Sequence, residues 1–468
     1  MPPSILRNIP SVNELLDSQP LKRLSNSVSR SVVVSGVRTF LEKLREEAHT
    51  AASDIVVPVR AELAERIASW ILAAEKPPLR PVINATGILL HTGLGRAPLA
   101  REALVDIEEM ARGYCSLEVE LDSGKRSQRH MAVDKLLRDL TGAEASFVVN
   151  NNAGATLLTL AALAGDAEVI VSRGELVEIG GSYRLPDVMQ ASGARLREVG
   201  TTNKTHREDY ERAIGPETGA LLKVHTSNYA IVGFTEAVVL GDLAALAHQH
   251  RLPAIHDIGS GALIDYGRYG LAGEPVAAES IRDGADIVLF SGDKLLGGPQ
   301  CGIVLGRTSL IEQIRTHPLA RAFRVGKLTL AALAATLRLY RDPENAEQSV
   351  PLLSLLSTSV ENLQLRAERI APQLAAARAV TAAEPRASVA YLGGGSLPGE
   401  QIPTWCVALQ PSSGSVDQLA DRLRSGSPAI YSRVQQDSLL LDLRTVFPAQ
   451  DQQIIHTVCE LDSDVKPA

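Results

Sequence analysis

Cysteine is scarce in this chain: Cys115, Cys301, Cys406 and Cys459 are scattered and form no CxxC pair. That excludes a disulfide framework and a cysteine-built zinc site, so no metal centre is expected. Aromatic residues are only 4% of the total, which leaves the core to Ala, Leu, Val and Ile. Long apolar runs are missing as well. No stretch approaches a membrane span, and Met1-Pro2-Pro3-Ser4 does not open a signal peptide. The expectation is a cytoplasmic protein with no membrane partner. Positive charge is not in excess either. A net charge of −7 argues against indiscriminate nucleic-acid binding, while leaving room for a local basic patch.

What is present is ordinary globular material. With 468 residues, 45% hydrophobic and 22% charged, the chain can form two or three domains around a large core. Residues 1–59 read as a helical module. Ser11 and Glu14 have capping-box spacing ahead of Leu15 and Leu16, and a second amphipathic stretch includes Val37, Phe40, Leu41 and Leu44. From Met1 to Arg45 there are seven basic side chains against three acidic ones. A solvated helix face or a polyanion-binding surface fits that balance. Residues 60–81 read as a linker helix (Leu63, Ile67, Trp70, Ile71) broken by Pro77, Pro78 and Pro81.

Residues 82–330 alternate strands and helices, the pattern of an α/β domain with a mainly parallel sheet. Seven strands are expected, at 145–149, 169–171, 195–199, 220–224, 253–256, 286–290 and 301–305. Most are short apolar runs, which suits a sheet covered on both faces. Residues 331–468 read as a small α+β domain, with strands near 405–409 and 438–443.

Asp257 closes the fifth of these strands, and Lys294 follows the sixth through Ser291-Gly292-Asp293. A lysine amine can form a Schiff base with the aldehyde of pyridoxal 5'-phosphate. A carboxylate can keep the pyridine nitrogen protonated, so that the ring draws electrons from a substrate Cα. Each residue alone is weak, because an Asp at a strand end is commonly a turn former or cap. Asn152, Ala153 and Gly154 open an Ala/Leu-rich helix after Val149, and amides at a helix start suit a phosphate. Ser291 can add a hydroxyl to the same phosphate. His225 can stack on the ring or contact its phenolic oxygen, although a lone His at a strand end is often structural. Phosphate cradle, Asp and Lys occur in the chain order of a fold-type I pyridoxal enzyme.

Longer segments carry a closer likeness. They include Ile9-Pro10-Ser11-Val12-Asn13-Glu14-Leu15-Leu16, His91-Thr92-Gly93-Leu94-Gly95-Arg96, Asn150-Asn151-Asn152 and Glu198-Val199-Gly200-Thr201-Thr202-Asn203-Lys204-Thr205. Ser291-Gly292-Asp293-Lys294, Gly394-Gly395-Ser396-Leu397-Pro398-Gly399 and Leu441-Asp442-Leu443-Arg444-Thr445-Val446 extend it. Through these segments the chain resembles the bacterial L-seryl-tRNA(Sec) selenium transferases, the selenocysteine synthases, over nearly its whole length.

The resemblance implies conversion of seryl-tRNA(Sec) to selenocysteinyl-tRNA(Sec), by β-elimination to an aminoacrylyl group and addition of selenium from selenophosphate. Lys294 and Asp257 are then catalytic, and the N-terminal module holds tRNA. It points to Arg96, Arg321 and Arg324 for selenophosphate, since guanidinium forks match tetrahedral oxyanions. Arg321 and Arg324 would share one face of a helix; without the likeness they read equally as interfacial or solvated arginines. Arg433 reads as a structural residue of the second domain. The likeness further implies a homo-oligomer, dimers assembled into a ring of decameric size, with an active site shared between chains. Two other readings stay open on residues alone: a lyase or aldolase acting on a small amino acid or amino sugar, and a non-catalytic RNA-binding scaffold of the same fold.

Overall fold

The computed structural model describes residues 9–25, 27–50, 58–75, 77, 79–181 and 183–461. The chain divides into two compact units, Met1–Pro81 and Val82–Ala468.

The first unit is helical: α1 (Val12–Leu16), α2 (Gln19–Leu24), α3 (Arg30–Thr50) and α4 (Arg60–Ala74). The capping box forms as the spacing predicts, with the Glu14 amide donating to Ser11 Oγ and Glu14 Oε2 accepting from the Ser11 amide. Leu15, Leu21, Leu24, Val37 and Leu41 share one buried cluster with Leu63, Ile67 and Ile71. The helix read as a linker therefore belongs to the core of this unit. Its apolar stripe fills the groove left by α1–α3.

The second unit contains two main sheets and a two-stranded one, Glu178–Ile179 with Tyr183–Arg184. Its first strand, β1 (Val82–Ala85), is followed by β2 (Ala145–Val149), α5 (Asn152–Ala164), β3 (Glu168–Ser172), β4 (Arg195–Val199) and β5 (Thr218–Val224). Then come β6 (Ala254–Gly259), β7 (Ile287–Ser291), β8 (Gly302–Gly306) and α6 (Lys327–Leu339). The large sheet has seven strands in the order β2-β8-β7-β6-β5-β3-β4. All pairings are parallel except those of β8, which runs against both β2 and β7. Alternation along β7 explains the two-sided burial. Ile287 and Leu289 pack with Leu158 and Leu160 of α5, and Val288 and Phe290 pack with Leu330 and Leu333 of α6 on the other face.

The remaining strands are β9 (Val380–Ala390), β10 (Ile402–Pro411), β11 (Ala429–Gln435) and β12 (Ser438–Asp442). They form a five-stranded sheet in the order β1-β11-β12-β10-β9. Its edge strand is β1, paired in parallel from Val82↔Ala429 to Ala85↔Ser432. A division at 330/331 thus cuts through α6 and leaves β1 on the wrong side. The first strand of the unit thus completes the sheet built from its last strands, and both sheets belong to one compact unit. Among the described residues no helix is long and apolar enough to cross a membrane.

Candidate active site

The carboxyl ends of β5, β6 and β7 meet the start of α5 around a cavity of about 320 Å³. Ligands of open α/β sheets bind at this edge. Lys294, Asp257, His225, Ser291, Asn152, Ala153 and Arg96 all line it. Amine and carboxylate therefore face one space, although more than thirty residues separate them along the chain.

Asp257 lies inside β6 rather than at its end, because the ladder resumes at Gly259↔Phe290 after a bulge. Its carboxylate is buried and accepts three hydrogen bonds: Asn152 Nδ2 at 2.8 Å, Thr156 Oγ1 at 2.9 Å and the Gly259 amide at 3.0 Å. Burial nevertheless pushes its pKa above the ordinary value, outweighing those donors and the pull of Lys294. A cationic partner in the cavity would offset that cost and favour the carboxylate.

Lys294 is buried too, and its amine is held below the usual lysine range. Desolvation is the main cause, the Arg96 guanidinium adds to it, and Asp257, Asp293 and Glu274 oppose it. A neutral amine is the form that attacks an aldehyde or takes a proton. Arg96 sits in left-handed backbone at φ 61° and donates from Nη1 to Asp293 Oδ2 at 2.7 Å. Its Nε is buried and has no partner among the described residues.

The start of α5 differs in one detail from the sequence reading. Asn151 caps the helix, and its Oδ1 accepts the Gly154 amide at 2.8 Å. Gly154 does not line the cavity, which leaves the Asn152 and Ala153 amides at the helix end where no intrahelical acceptor exists. Gly302 of β8 backs this turn so closely that a Cβ there would run into the Asn151 carbonyl.

The structure does not bring the three sequence-predicted arginines together in one chain. Arg321 and Arg324 line a second cavity, of about 290 Å³, with Arg126, Arg129, Arg315 and Glu118. Glu118 pairs with Arg129 at 2.7 Å, Arg126 at 3.3 Å and Arg324 at 3.8 Å, and the Arg129 bond lowers its pKa. Among the described residues Arg321 makes no ion pair. Arg433 is anchored internally, donating to Asp442 Oδ2 at 3.1 Å and Ser388 Oγ at 2.7 Å.

Sequence reasoning missed Thr156, Tyr183 and Asp293. Thr156 follows Asn152 by one helical turn, so the i,i+4 rule could have placed it on the same face. Asp293 precedes the lysine directly. Tyr183 reaches the cavity from the short pairing of Glu178–Ile179 with Tyr183–Arg184, and spacing gives no hint of it.

These residues fit pyridoxal phosphate. The amine suits its aldehyde, the buried carboxylate its ring nitrogen, and two helix-start amides with Ser291 its phosphate. The buried Asn152 Oδ1 and Ser227 Oγ, unpartnered among the described residues, leave further polar capacity facing the cavity. Fold and site define a pyridoxal-phosphate-dependent enzyme of fold type I. Comparison with known proteins gives the family. Residues 82–447 match the family model described as L-seryl-tRNA selenium transferase, and residues 6–45 match that described as selenocysteine synthase N terminal. The L-seryl-tRNA(Sec) selenium transferase of Geobacter sulfurreducens is 46% identical over 463 residues, covering 98% of this chain and 100% of its own. That of Moorella thermoacetica is 46% identical over 460 residues, covering 98% and 97%. Among solved structures, D-glucosaminate-6-phosphate ammonia-lyase aligns with a TM-score of 0.57 at 24% identity, over 82% of this chain and 97% of that one. That last likeness speaks to the fold alone. The chain belongs to the L-seryl-tRNA selenium transferase family.

Proposed function

We propose that this enzyme converts seryl-tRNA(Sec) to selenocysteinyl-tRNA(Sec), with selenophosphate as the selenium donor. The observation that carries the reading is the single cavity bracketed by the Lys294 amine and the Asp257 carboxylate. Pyridoxal phosphate, when bound, supplies the electron sink for the pair left at the serine Cα. Asp257, with Asn152 and Thr156 fixing its two oxygens, holds a proton on the ring nitrogen. Lys294, its pKa lowered by burial and by Arg96, takes the Cα proton once its amine is free. Asn152, Ala153 and Ser291 receive the phosphate, and His225 flanks the ring.

Arg96, oriented by Asp293, binds the selenophosphate oxyanion in this reading. Arg321 and Arg324 complete that site from a neighbouring subunit, which accounts for their lining a different cavity of their own chain. The active assembly is then a homo-oligomer of dimers. The basic N-terminal unit grips the tRNA. The reading places the enzyme in the cytoplasm, where charged tRNA is made.

The test is an assay of purified protein with seryl-tRNA(Sec) and selenophosphate, with free serine as the control. Turnover of the charged tRNA and none of free serine is expected. Borohydride reduction followed by peptide mapping should place the cofactor on Lys294. Conversion of free serine at the same rate would overturn the tRNA-dependent assignment.

A further inference from the structure

The Gly200–Thr205 segment is among the most distinctive in the sequence, yet none of the chemistry above uses it. It builds the rim of a third cavity, of about 360 Å³, within the range of roughly 300–1,000 Å³ that small-ligand sites occupy. This cavity shares Val224 and His225 with the cofactor cavity, so the two adjoin across the imidazole. It too opens at the carboxyl ends of β3 and β5. Its floor is fixed, because Lys223 Nζ donates to Glu175 Oε1 at 3.1 Å and to the Val238 carbonyl at 2.8 Å, while Glu175 Oε2 accepts the Val224 amide.

The rim is equally built. Gly200, at φ 70°, turns the chain where any Cβ would collide with Thr205, and the Thr201 amide donates to the Lys204 carbonyl at 2.8 Å. Asn203 Nδ2 donates to the Phe234 carbonyl at 2.6 Å, and the Glu236 amide donates back to the Asn203 carbonyl at 3.0 Å. These bonds hold a loop whose Ile231, Thr235 and Glu236 line the cavity, while Phe234, beside Thr235 in the chain but outside that lining, stands 90% exposed. Lys204 lines the cavity and makes no ion pair among the described residues.

We propose that this cavity receives the 3′-terminal nucleoside of the charged tRNA, with Phe234 as a stacking platform and Lys204 paired with its phosphate. The inference rests on the reaction proposed above. In that substrate the serine carboxyl is esterified to the terminal ribose, so a serine whose amine reaches Lys294 must leave the nucleoside in an adjoining space. Single-stranded RNA ends are recognised by stacking on aromatic rings and by cations along the backbone. Hydroxyl and amide groups of Thr202, Asn203 and Thr226 supply polar partners beside the apolar Ile231 and Pro275.

The test uses the full-length, cofactor-loaded protein. KM and kcat are measured with seryl-tRNA(Sec), and Kd is measured with the same tRNA lacking its 3′-terminal nucleoside. Phe234→Ala should raise KM roughly tenfold, the worth of one base–aromatic stack, with kcat held. Phe234→Trp should restore the wild-type KM, and Lys204→Ala should raise it several-fold. Neither alanine variant should alter Kd for the truncated tRNA. An unchanged KM in both, or an equal loss of affinity for truncated and intact tRNA, overturns the assignment alone. A wild-type protein that fails to turn over seryl-tRNA overturns the reaction and this subsite together.

Discussion

Replacing Thr156 with Val should weaken the cofactor-free protein in a way that depends on pH. The side chain is fully buried, and its hydroxyl oxygen, with one proton to donate, lies 2.9 Å from Asp257 Oδ2 and 2.9 Å from the Asn152 carbonyl oxygen. Valine keeps the shape and removes the donor. A hydrogen bond to a charged group contributes about 1.5–3 kcal/mol, so that is the expected loss wherever Asp257 is ionised. Burial already raises the folded-state pKa of Asp257 above 3.8, and the substitution raises it further. A carboxyl with a raised folded pKa binds more protons folded than unfolded, so stability falls as pH rises through the window between the two values. The deficit of the variant should therefore be small at acid pH, where both proteins carry a protonated Asp257, and full above the folded pKa. Thr159, one turn along α5, is the control. It is equally buried, and its hydroxyl has no partner among the described residues. Thr159→Val should be neutral or slightly stabilising, because it removes an orphaned polar group. Denaturant midpoints of the cofactor-free proteins at several pH values decide the matter. Equal effects of the two substitutions, or a Thr156→Val deficit that ignores pH, would refute the account of how Asp257 is held.

Arg96→Gln should shift the titration of Lys294 upward, since a neighbouring cation that disfavours the ammonium is gone; the pH dependence of lysine labelling in cofactor-free protein reads this directly. Gly302→Ala should displace the Asn151 turn at a cost of about 1–3 kcal/mol and loosen phosphate binding, visible as a raised Kd for pyridoxal phosphate. Residues 82–468, produced alone, should bind the cofactor and lose tRNA affinity. The cut belongs after Pro81, because α4 is part of the N-terminal core.

Most strands of the large sheet were legible because they are apolar runs covered on both faces, as at Ala254–Gly259, Ile287–Ser291 and Gly302–Gly306, whereas the edge strand Arg195–Val199 is polar and largely exposed. Lys294 and the helix start were legible for the same reason, since they follow the ends of those strands, and Asp257 because it sits near the end of one. What stayed hidden depends on distant partners. The apolar stripe of α4 shows that a face needs covering, not which helices cover it. Val82–Ala85 is too short to place, and its mate lies more than three hundred residues on. Asp257 was read one bulge too early, because nothing in Ile258-Gly259 reveals that the ladder continues. The spacing of Arg321 and Arg324 suggests a shared helix face, but the helix ends at Ala322 and Arg324 bridges to Val149; the two side chains still line one cavity, and spacing is silent about which.

That placement of the arginines has a genetic corollary. If amine and guanidinium meet only across a subunit boundary, damage to one and damage to the other are separable lesions. A cell carrying one gene copy with Lys294→Ala and another with Arg321→Ala would assemble mixed particles in which some centres inherit both intact halves. Two dead alleles would then sustain selenoprotein synthesis together, although neither does so alone.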